Sequence, residues 1–148
     1  MKYYRAANGI LARIGNKDNK AVWLNLIASM ALPIITYSLE ALVLNKSELL
    51  ALNHPWKRSF EKVFHTFDKT IVKECQQYMG YLPIHYCYYM KSLSFLKNME
   101  QSTNPLLRMI FNQSGNADIC RLAKRFNCSP ENVLKCYKEI ILNKFYQY

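Results

Sequence analysis

The chain has 148 residues, about the size of one domain, and 51% of them are hydrophobic, which is ample for a packed core. Its modest charge and frequent aromatic residues exclude a disordered chain. The net charge of +10 favours an anionic partner, either nucleic acid or a membrane surface. The basic residues are spread along the chain with no long run, so this charge does not form a basic tail.

The cysteines and the first residues of the chain indicate in which cellular compartment the protein is expected. Residues 1–20 are charged and lack the apolar core of a secretory signal, so we expect an intracellular protein of the nucleus or cytoplasm. The five cysteines are odd in number and widely spaced, which predicts reduced and mostly buried thiols. His85 and Cys87 form the closest His–Cys pair, but no second pair lies beside them, so no zinc site is predicted.

The first predicted helix covers residues 3–14, where apolar side chains recur with helical spacing. A turn is predicted at 15–19, and either Asp18 or Asn19 can cap the helix that follows. Residues 22–44 then form an apolar run with a single charge, Glu40. As a helix this run is apolar on nearly every face, which predicts burial on all sides.

The same run is long enough to cross a bilayer, for which about 20 apolar residues suffice. Three features favour a soluble helix instead: the charge of Glu40, several polar side chains, and Pro33 near the middle, which predicts a kink or a break in the helix. A membrane-anchored interaction protein that uses residues 22–44 is an alternative, although we expect no membrane among the partners.

Asn45 and Glu48 have the spacing of a capping box, and Pro55 predicts the start of a further helix capped by Asn53 or His54. Periodicity places five large apolar residues on one face of that helix: Trp56, Phe60, Val63, Phe64 and Phe67. On another face it brings together three basic residues: Lys57, Arg58 and Lys62.

Caps, prolines and a glycine predict three more helices, from Asp68 or Thr70 to Gly80, from Pro83 to about Lys97, and from Asn104-Pro105 to about Phe111. A loop is predicted at 113–116. No stretch alternates as a strand does. The predicted fold is therefore an all-α, multi-helix bundle with a buried central helix that Pro33 interrupts.

The C-terminal residues predict a helical hairpin. Its turn contains Asn127, which tolerates a left-handed backbone, and Ser129 as a cap before Pro130. The pattern over 118–138 resembles a bacterial helix-turn-helix, whose second helix enters the major groove of DNA. An αα-hairpin that only packs against its neighbours gives the same pattern, so the sequence leaves both interpretations open.

Several short patterns, taken in order, resemble one protein family. Residues 32–40 (LPIITYSLE) are similar to an L-P-I-L-x-Y-x-x-E segment just beyond the polymerase core of non-LTR (LINE- and jockey-type) retrotransposon reverse transcriptases. Residues 4–11 resemble the helix before that segment, and residues 54–64 and 80–84 resemble the parts after it. The resemblance covers about residues 3–145.

The resemblance implies a parent RNA-directed DNA polymerase, of which this chain is the thumb and the linker that follows. Such polymerases hold Mg²⁺ through aspartates that include an adjacent pair. This chain contains no adjacent aspartates, so we assign it no catalytic residue, no metal and no other cofactor, and Mg²⁺ belongs to the parent. We expect a thumb-like domain over 1–112 with a hairpin over 113–148 packed on it, or one domain over 1–148.

A thumb grips the template–primer duplex mainly through its backbone, which requires basic side chains and no base reading. The implied partners are nucleic acid, as RNA–DNA hybrid or duplex DNA, and the remainder of the reverse transcriptase. The candidate nucleic-acid-binding residues are Lys57, Arg58, Lys62, Lys69, Lys73, Arg121, Lys124 and Arg125. Five tyrosines are candidates for stacking on bases: Tyr78, Tyr81, Tyr86, Tyr88 and Tyr89. The alternative is an independent helix-turn-helix DNA-binding protein that uses 118–138.

Overall fold

The computed structural model describes residues 2–14 and 19–147, and these residues form helices and turns but no strand. The predicted all-α fold is confirmed. The helices are α1 (Lys2–Ile14), α2 (Lys20–Leu26), α3 (Leu32–Thr36), α4 (Lys46–Phe64), α5 (Lys69–Tyr78), α6 (Ile84–Glu100), α7 (Pro105–Ile110), α8 (Asn116–Phe126) and α9 (Pro130–Tyr146). Turns of π-helix at Ile27–Ala31 and Phe111–Gly115 join α2 to α3 and α7 to α8.

Packing divides the chain into two units, Met1–His85 and Tyr86–Tyr148. Eleven basic and six acidic residues give the first unit a charge of +5, and nine basic and four acidic residues give the second the same. Both units are therefore suited to an anionic partner. The domain boundary expected after residue 112 lies inside the second unit and stays a prediction.

The core of the first unit is built around Trp56, whose side chain is completely buried. The rings of Phe60 and Tyr81 meet its indole edge-on, with centroids 5.0 and 5.7 Å away. Its Nε1–H donates to the carbonyl oxygen of Leu82 at 3.1 Å. Edge-on aromatic pairs add about 0.5–1.5 kcal/mol beyond the area they bury, so this cluster fixes α4 against the segment before α6.

Of the kink or break predicted at Pro33, the break is wrong, because the backbone stays helical from Lys20 to Thr36 with a π-helical turn directly before Pro33. Proline has no N–H and its ring crowds the carbonyl four residues earlier, so it tends to distort a helix. The π-helical turn before it is wider, and the N–H of Leu32 donates to the carbonyl oxygen of Ile27. The helix ends later, where Tyr37 is extended and Ser38 adopts a left-handed backbone with φ of 55°.

Burial of the apolar run 22–44 is one-sided, whereas its composition predicted burial on all sides. One face packs into the first unit through Leu24, Ile27, Ala31, Thr36 and Leu39. The other face leaves Val22, Met30, Ile34, Tyr37, Leu42 and Val43 exposed. Asn19 caps this run by accepting from the N–H of Val22 at 3.2 Å; the other predicted cap, Asp18, and the turn at 15–18 lie outside the described residues.

Helix α4 begins with the predicted capping box, because Asn45 accepts from the N–H of Glu48 and Glu48 accepts from the N–H of Asn45. The predicted new helix at Pro55 is wrong, since α4 continues through it. Asn53 does not cap that position. Its Oδ1 accepts from the N–H of Ile84 at 2.9 Å, so it serves the first turn of α6 instead.

Helix α5 begins and ends as predicted. Asp68 Oδ1 accepts from the N–H of Thr70 at 2.7 Å. At the other end Gly80 has a φ of 72°, a left-handed conformation that glycine adopts without strain. The N–H of Gly80 donates to the backbone carbonyl oxygen of Gln77, and the N–H of Tyr81 donates to that of Gln76. These two hydrogen bonds are typical of a helix C-terminus that ends in a left-handed residue.

In the second unit the loop expected at 113–116 is wrong, because a π-helical turn carries the chain directly from α7 into α8. Helices α8 and α9 form the predicted hairpin. Asn127 is left-handed with φ of 54°, and Ser129 accepts from the N–H of Asn132 at 3.4 Å. Helical spacing predicts an apolar stripe on α9 at Val133, Leu134, Tyr137, Ile140, Ile141 and Phe145, and all of these are buried except half-buried Ile140.

Candidate nucleic-acid interface

The basic residues predicted on α4 share one acidic partner. The Arg58 guanidinium donates to Glu61 Oε2 at 2.7 Å, and Lys57 Nζ lies 3.3 Å from Glu61 Oε1. Glu61 is only 8% exposed, while Arg58 extends to the surface. Lys57, Arg58 and Glu61 together therefore carry a net charge of only +1.

The protonation state of Glu61 depends on those two cations. Burial by itself raises the pKa of this carboxyl, but the hydrogen bonds from Arg58 and Lys57 outweigh it and hold the pKa below its ordinary value. Glu61 is therefore ionised at neutral pH. It orients both cations, and it also competes with any phosphate for them.

Lys62 has a different environment. Its Nζ donates to Asn8 Oδ1 on α1 at 2.8 Å, which holds an exposed ammonium in place without neutralising it. An amide oxygen is a weaker partner for a cation than a carboxylate. Lys62 therefore keeps its full positive charge for an external anion.

A cavity of about 480 Å³ lies beside these side chains, and this volume is within the range of small-ligand sites. Its lining residues are Leu11, Trp23, Arg58, Glu61, Lys62, His65 and Phe67. Arg58, Lys62 and His65 supply hydrogen-bond donors around it, and the Trp23 Nε1–H has no hydrogen-bond partner among the described residues. The cavity therefore combines cationic groups with aromatic surface.

Phe67 is the most exposed aromatic side chain of this cavity, at 76% exposure. The guanidinium carbon of Arg58 lies 5.4 Å from its ring centroid, a cation–π distance. Phe67 was expected on the core face of α4, and that expectation is wrong. Helix α4 ends at Phe64, and His65 turns the chain with a left-handed φ of 52°, so Phe67 leaves the helical stripe.

Of the residues that line the cavity, the sequence identified only Arg58 and Lys62 as site residues, and five were missed: Leu11, Trp23, Glu61, His65 and Phe67. Nothing in the local pattern near Trp23 indicates that α2 reaches α4. For His65 and Phe67 the pattern was misleading, because the helical spacing of apolar residues continues from Phe60 and Phe64 to Phe67. A C-terminal residue in left-handed backbone is usually glycine or asparagine, and His65 concealed that end.

Two more candidates lie on α5 and do not line the cavity. Lys69 is the first residue of α5 and is exposed, directly after the Asp68 cap. Lys73 is half-buried one turn later. The structure therefore brings Arg58 and Lys62 to one cavity but does not bring Lys69 and Lys73 to it.

The candidates of the second unit are divided among separate contacts. Arg121 is 2.9 Å from Asp118 Oδ1 on its own helix, and the Arg125 guanidinium lies 4.8 Å from the centroid of the Tyr89 ring. Lys124 is exposed. In the first turn of α9, where a recognition helix meets DNA, Glu131 is exposed and would repel phosphate.

The tyrosine cluster does not form a stacking surface. Tyr88 and Tyr89 are buried in the second unit, where Tyr89 meets Phe126 edge-on. In the first unit Tyr81 packs against Trp56 and its hydroxyl donates to Asn25. Stacking on bases by Tyr88 and Tyr89 is excluded by this burial, while Tyr78 is almost fully exposed.

Among the described residues, no group of three or more His, Cys, Asp or Glu side chains is placed to hold a metal ion. No family model, curated protein or solved structure matches the chain. The resemblance to the reverse transcriptases therefore stays a proposal, and it rests on the residues quoted for it.

Proposed function

We propose that this chain is a non-catalytic element that holds a nucleic acid through its backbone, in the manner of the thumb of a non-LTR retrotransposon reverse transcriptase. The observation that carries the proposal is the cavity at the end of α4. There Arg58, Lys62 and His65 line the same cavity as exposed Phe67, and Arg58 lies over its ring. Proteins that bind single-stranded nucleic acid commonly combine basic side chains, which contact the phosphates, with aromatic side chains, which stack on the bases.

Each part of the cavity has a role in this proposal. Lys62 and Arg58 contact successive phosphates, Lys57 contacts a third beside the cavity, and Phe67 stacks on a base or sugar at an unpaired position. None of these contacts reads a base edge, so binding is indifferent to sequence. Polymerisation, with its aspartates and Mg²⁺, belongs to the rest of the parent protein in this proposal.

The test is a titration of the purified chain with a recessed RNA–DNA primer–template over a range of salt concentrations. Replacing Lys57, Arg58 and Lys62 by Ala is expected to weaken binding and to flatten the slope of log K against log salt by up to roughly 3 units. The matched control removes three lysines that line no part of the cavity: Lys46, Lys91 and Lys97. It is expected to change the slope far less.

A parallel titration with duplex DNA of many sequences separates this function from the helix-turn-helix alternative. A thumb is expected to prefer the hybrid and to ignore sequence. Selective binding to particular duplexes, lost on replacing Arg121, Lys124 and Arg125, would contradict the proposal and favour 118–138 as a DNA reader. An unchanged salt slope in the α4 variant would also contradict it.

A further inference from the structure

The apolar run of the first unit has many apolar side chains that are not buried in the core. The segment Lys20–Ala41 has 22 residues and is long and apolar enough to cross a membrane. Only 28% of its most apolar stretch is buried inside the protein, however. The core helix of a soluble protein is mostly buried. Exposed apolar surface of this extent usually marks an interaction site.

The exposed residues follow a stripe. Val22, Met30 and Ile34 are exposed, with half-buried Leu26 between them at the same four-residue spacing, and Met30 is 61% exposed. Because residues four apart lie on one side of a helix, the stripe forms one continuous apolar surface. The opposite side of the same helix is packed into the unit, so the run cannot leave the fold to span a bilayer without exposing the core.

A groove of about 400 Å³ runs between this stripe and α1. Its apolar lining consists of Ala6, Gly9, Ile10, Ile14, Leu26 and Met30. The groove is open at Gly9, where a Cβ would meet nothing within 4 Å. The α1 side is bordered by Arg5 and Arg13, which are two turns apart and therefore about 12 Å apart along the helix axis.

Both arginines are exposed, and neither has a hydrogen bond or an ion pair among the described residues. None of the residues that line the groove is acidic, and Glu40, the single acid of the run, lies beyond the end of α3. This face of the first unit is therefore apolar and positively charged, with no internal counter-ion. Its occupant must be apolar and anionic at once.

We propose that this face docks on the surface of a bilayer that contains anionic phospholipids. Met30 and Ile34 enter the boundary between headgroups and acyl chains, while Arg5 and Arg13 contact lipid phosphates. A nucleic acid would satisfy the arginines but leave the apolar stripe in water. A second copy of the same face would bring arginines against arginines, so charge complementarity favours the lipid surface.

The experiment is co-flotation of the full chain with vesicles of phosphatidylcholine that contain about one-third phosphatidylserine, beside vesicles of phosphatidylcholine alone. We expect binding to the anionic vesicles that weakens with salt and little binding to the neutral ones. The double variant Met30→Glu/Ile34→Glu is expected to abolish flotation. The matched control is Leu50→Glu, an exposed apolar residue of α4 outside the stripe, and it is expected to float like the unmodified chain.

Arg5→Gln/Arg13→Gln is expected to weaken binding to the anionic vesicles about tenfold or more, and Lys46→Gln much less. Circular dichroism melts verify that each variant is folded, and each should still bind the RNA–DNA hybrid, which separates this proposal from the proposed function. The proposal is overturned if the unmodified chain does not float, if the stripe variant floats equally well, or if sedimentation shows a dimer that Met30→Glu dissociates.

Discussion

Arg58 and Glu61 lie three residues apart on α4, and the guanidinium and carboxylate meet at 2.7 Å. The same carboxylate is 3.3 Å from Lys57, so one buried acid holds two of the three basic residues of this face. The face is thus pre-ordered, but its positive charge is partly cancelled. Whatever binds there must draw both cations away from Glu61 or share them with it.

Replacing Glu61 by Gln should therefore tighten binding to nucleic acid. The change removes one negative charge from beside the phosphates, and at about 1 kcal/mol this corresponds to roughly fivefold in affinity at low salt. Titration with the RNA–DNA hybrid measures it. Glu139→Gln, an exposed acid on α9, is the control for overall charge, and an equal gain in both variants would remove Glu61 from the binding site.

Lowering the pH should weaken the ion pairs of Glu61 with Lys57 and Arg58. The pKa of Glu61 lies below its ordinary value of 4.5 in the fold, so its contribution to stability is complete above that value and is lost as the pH falls through the folded pKa. In Glu61→Gln this titration is missing. Denaturant unfolding of both proteins from neutral pH downward should show a free-energy difference that is constant above about pH 5 and shrinks below it. A difference independent of pH would show that the ion pairs contribute nothing.

The thiols should differ sharply in reactivity. Burial raises the pKa of Cys87 to about 11, whereas Cys120 and Cys136 are exposed on α8 and α9. Because the thiolate is the reactive form, brief alkylation of the native chain near pH 8 should label Cys120 and Cys136 and spare Cys87. Mass spectrometry of peptides reads out the sites, and denatured protein, in which all five label, serves as the control. Equal labelling of Cys87 would mean that its helix opens readily.

Two glycines should respond oppositely to the same substitution. Gly115 and Phe111 are both buried, and a Cβ at Gly115 would lie 2.5 Å from Phe111 Cδ2, so Gly115→Ala should cost about 1–3 kcal/mol. Gly9 lies within α1 with open space around it, so Gly9→Ala should stabilise by about 0.5–1 kcal/mol. Denaturant unfolding measures both free energies. A neutral Gly115→Ala would show that the Phe111 ring moves aside freely.

Features that depend on a few neighbouring residues could be predicted from the sequence. Helix caps and left-handed turn residues act through hydrogen bonds or backbone conformations within one turn. The structure has the predicted ones: the Asn45–Glu48 capping box, the Asp68 cap, and left-handed Gly80 and Asn127. The stripe of α9 followed in the same way from helical periodicity.

Features that depend on tertiary packing could not be predicted. Pro33 and Pro55 both indicated helix boundaries, but a π-helical turn accommodates the first, and α4 runs through the second with Trp56 buried beside it. The composition of 22–44 indicated burial without showing that only one face has a partner.

At the candidate site, the cluster of basic residues on α4 was visible and its acid was overlooked. Glu61 lies at i+3 from Arg58 and i+4 from Lys57, the spacing of helical ion pairs, so the sequence already contained that signal. Trp23 reaches the cavity from another helix, and no local pattern indicates a contact across 35 or more residues of chain.

The most direct test of the proposed function is the salt dependence of binding to a recessed RNA–DNA primer–template by the unmodified chain and by the variant that lacks Lys57, Arg58 and Lys62. The proposal predicts tight, sequence-independent binding whose salt slope falls by up to roughly 3 units in the variant. Identical slopes, or no binding by the folded chain, would contradict it.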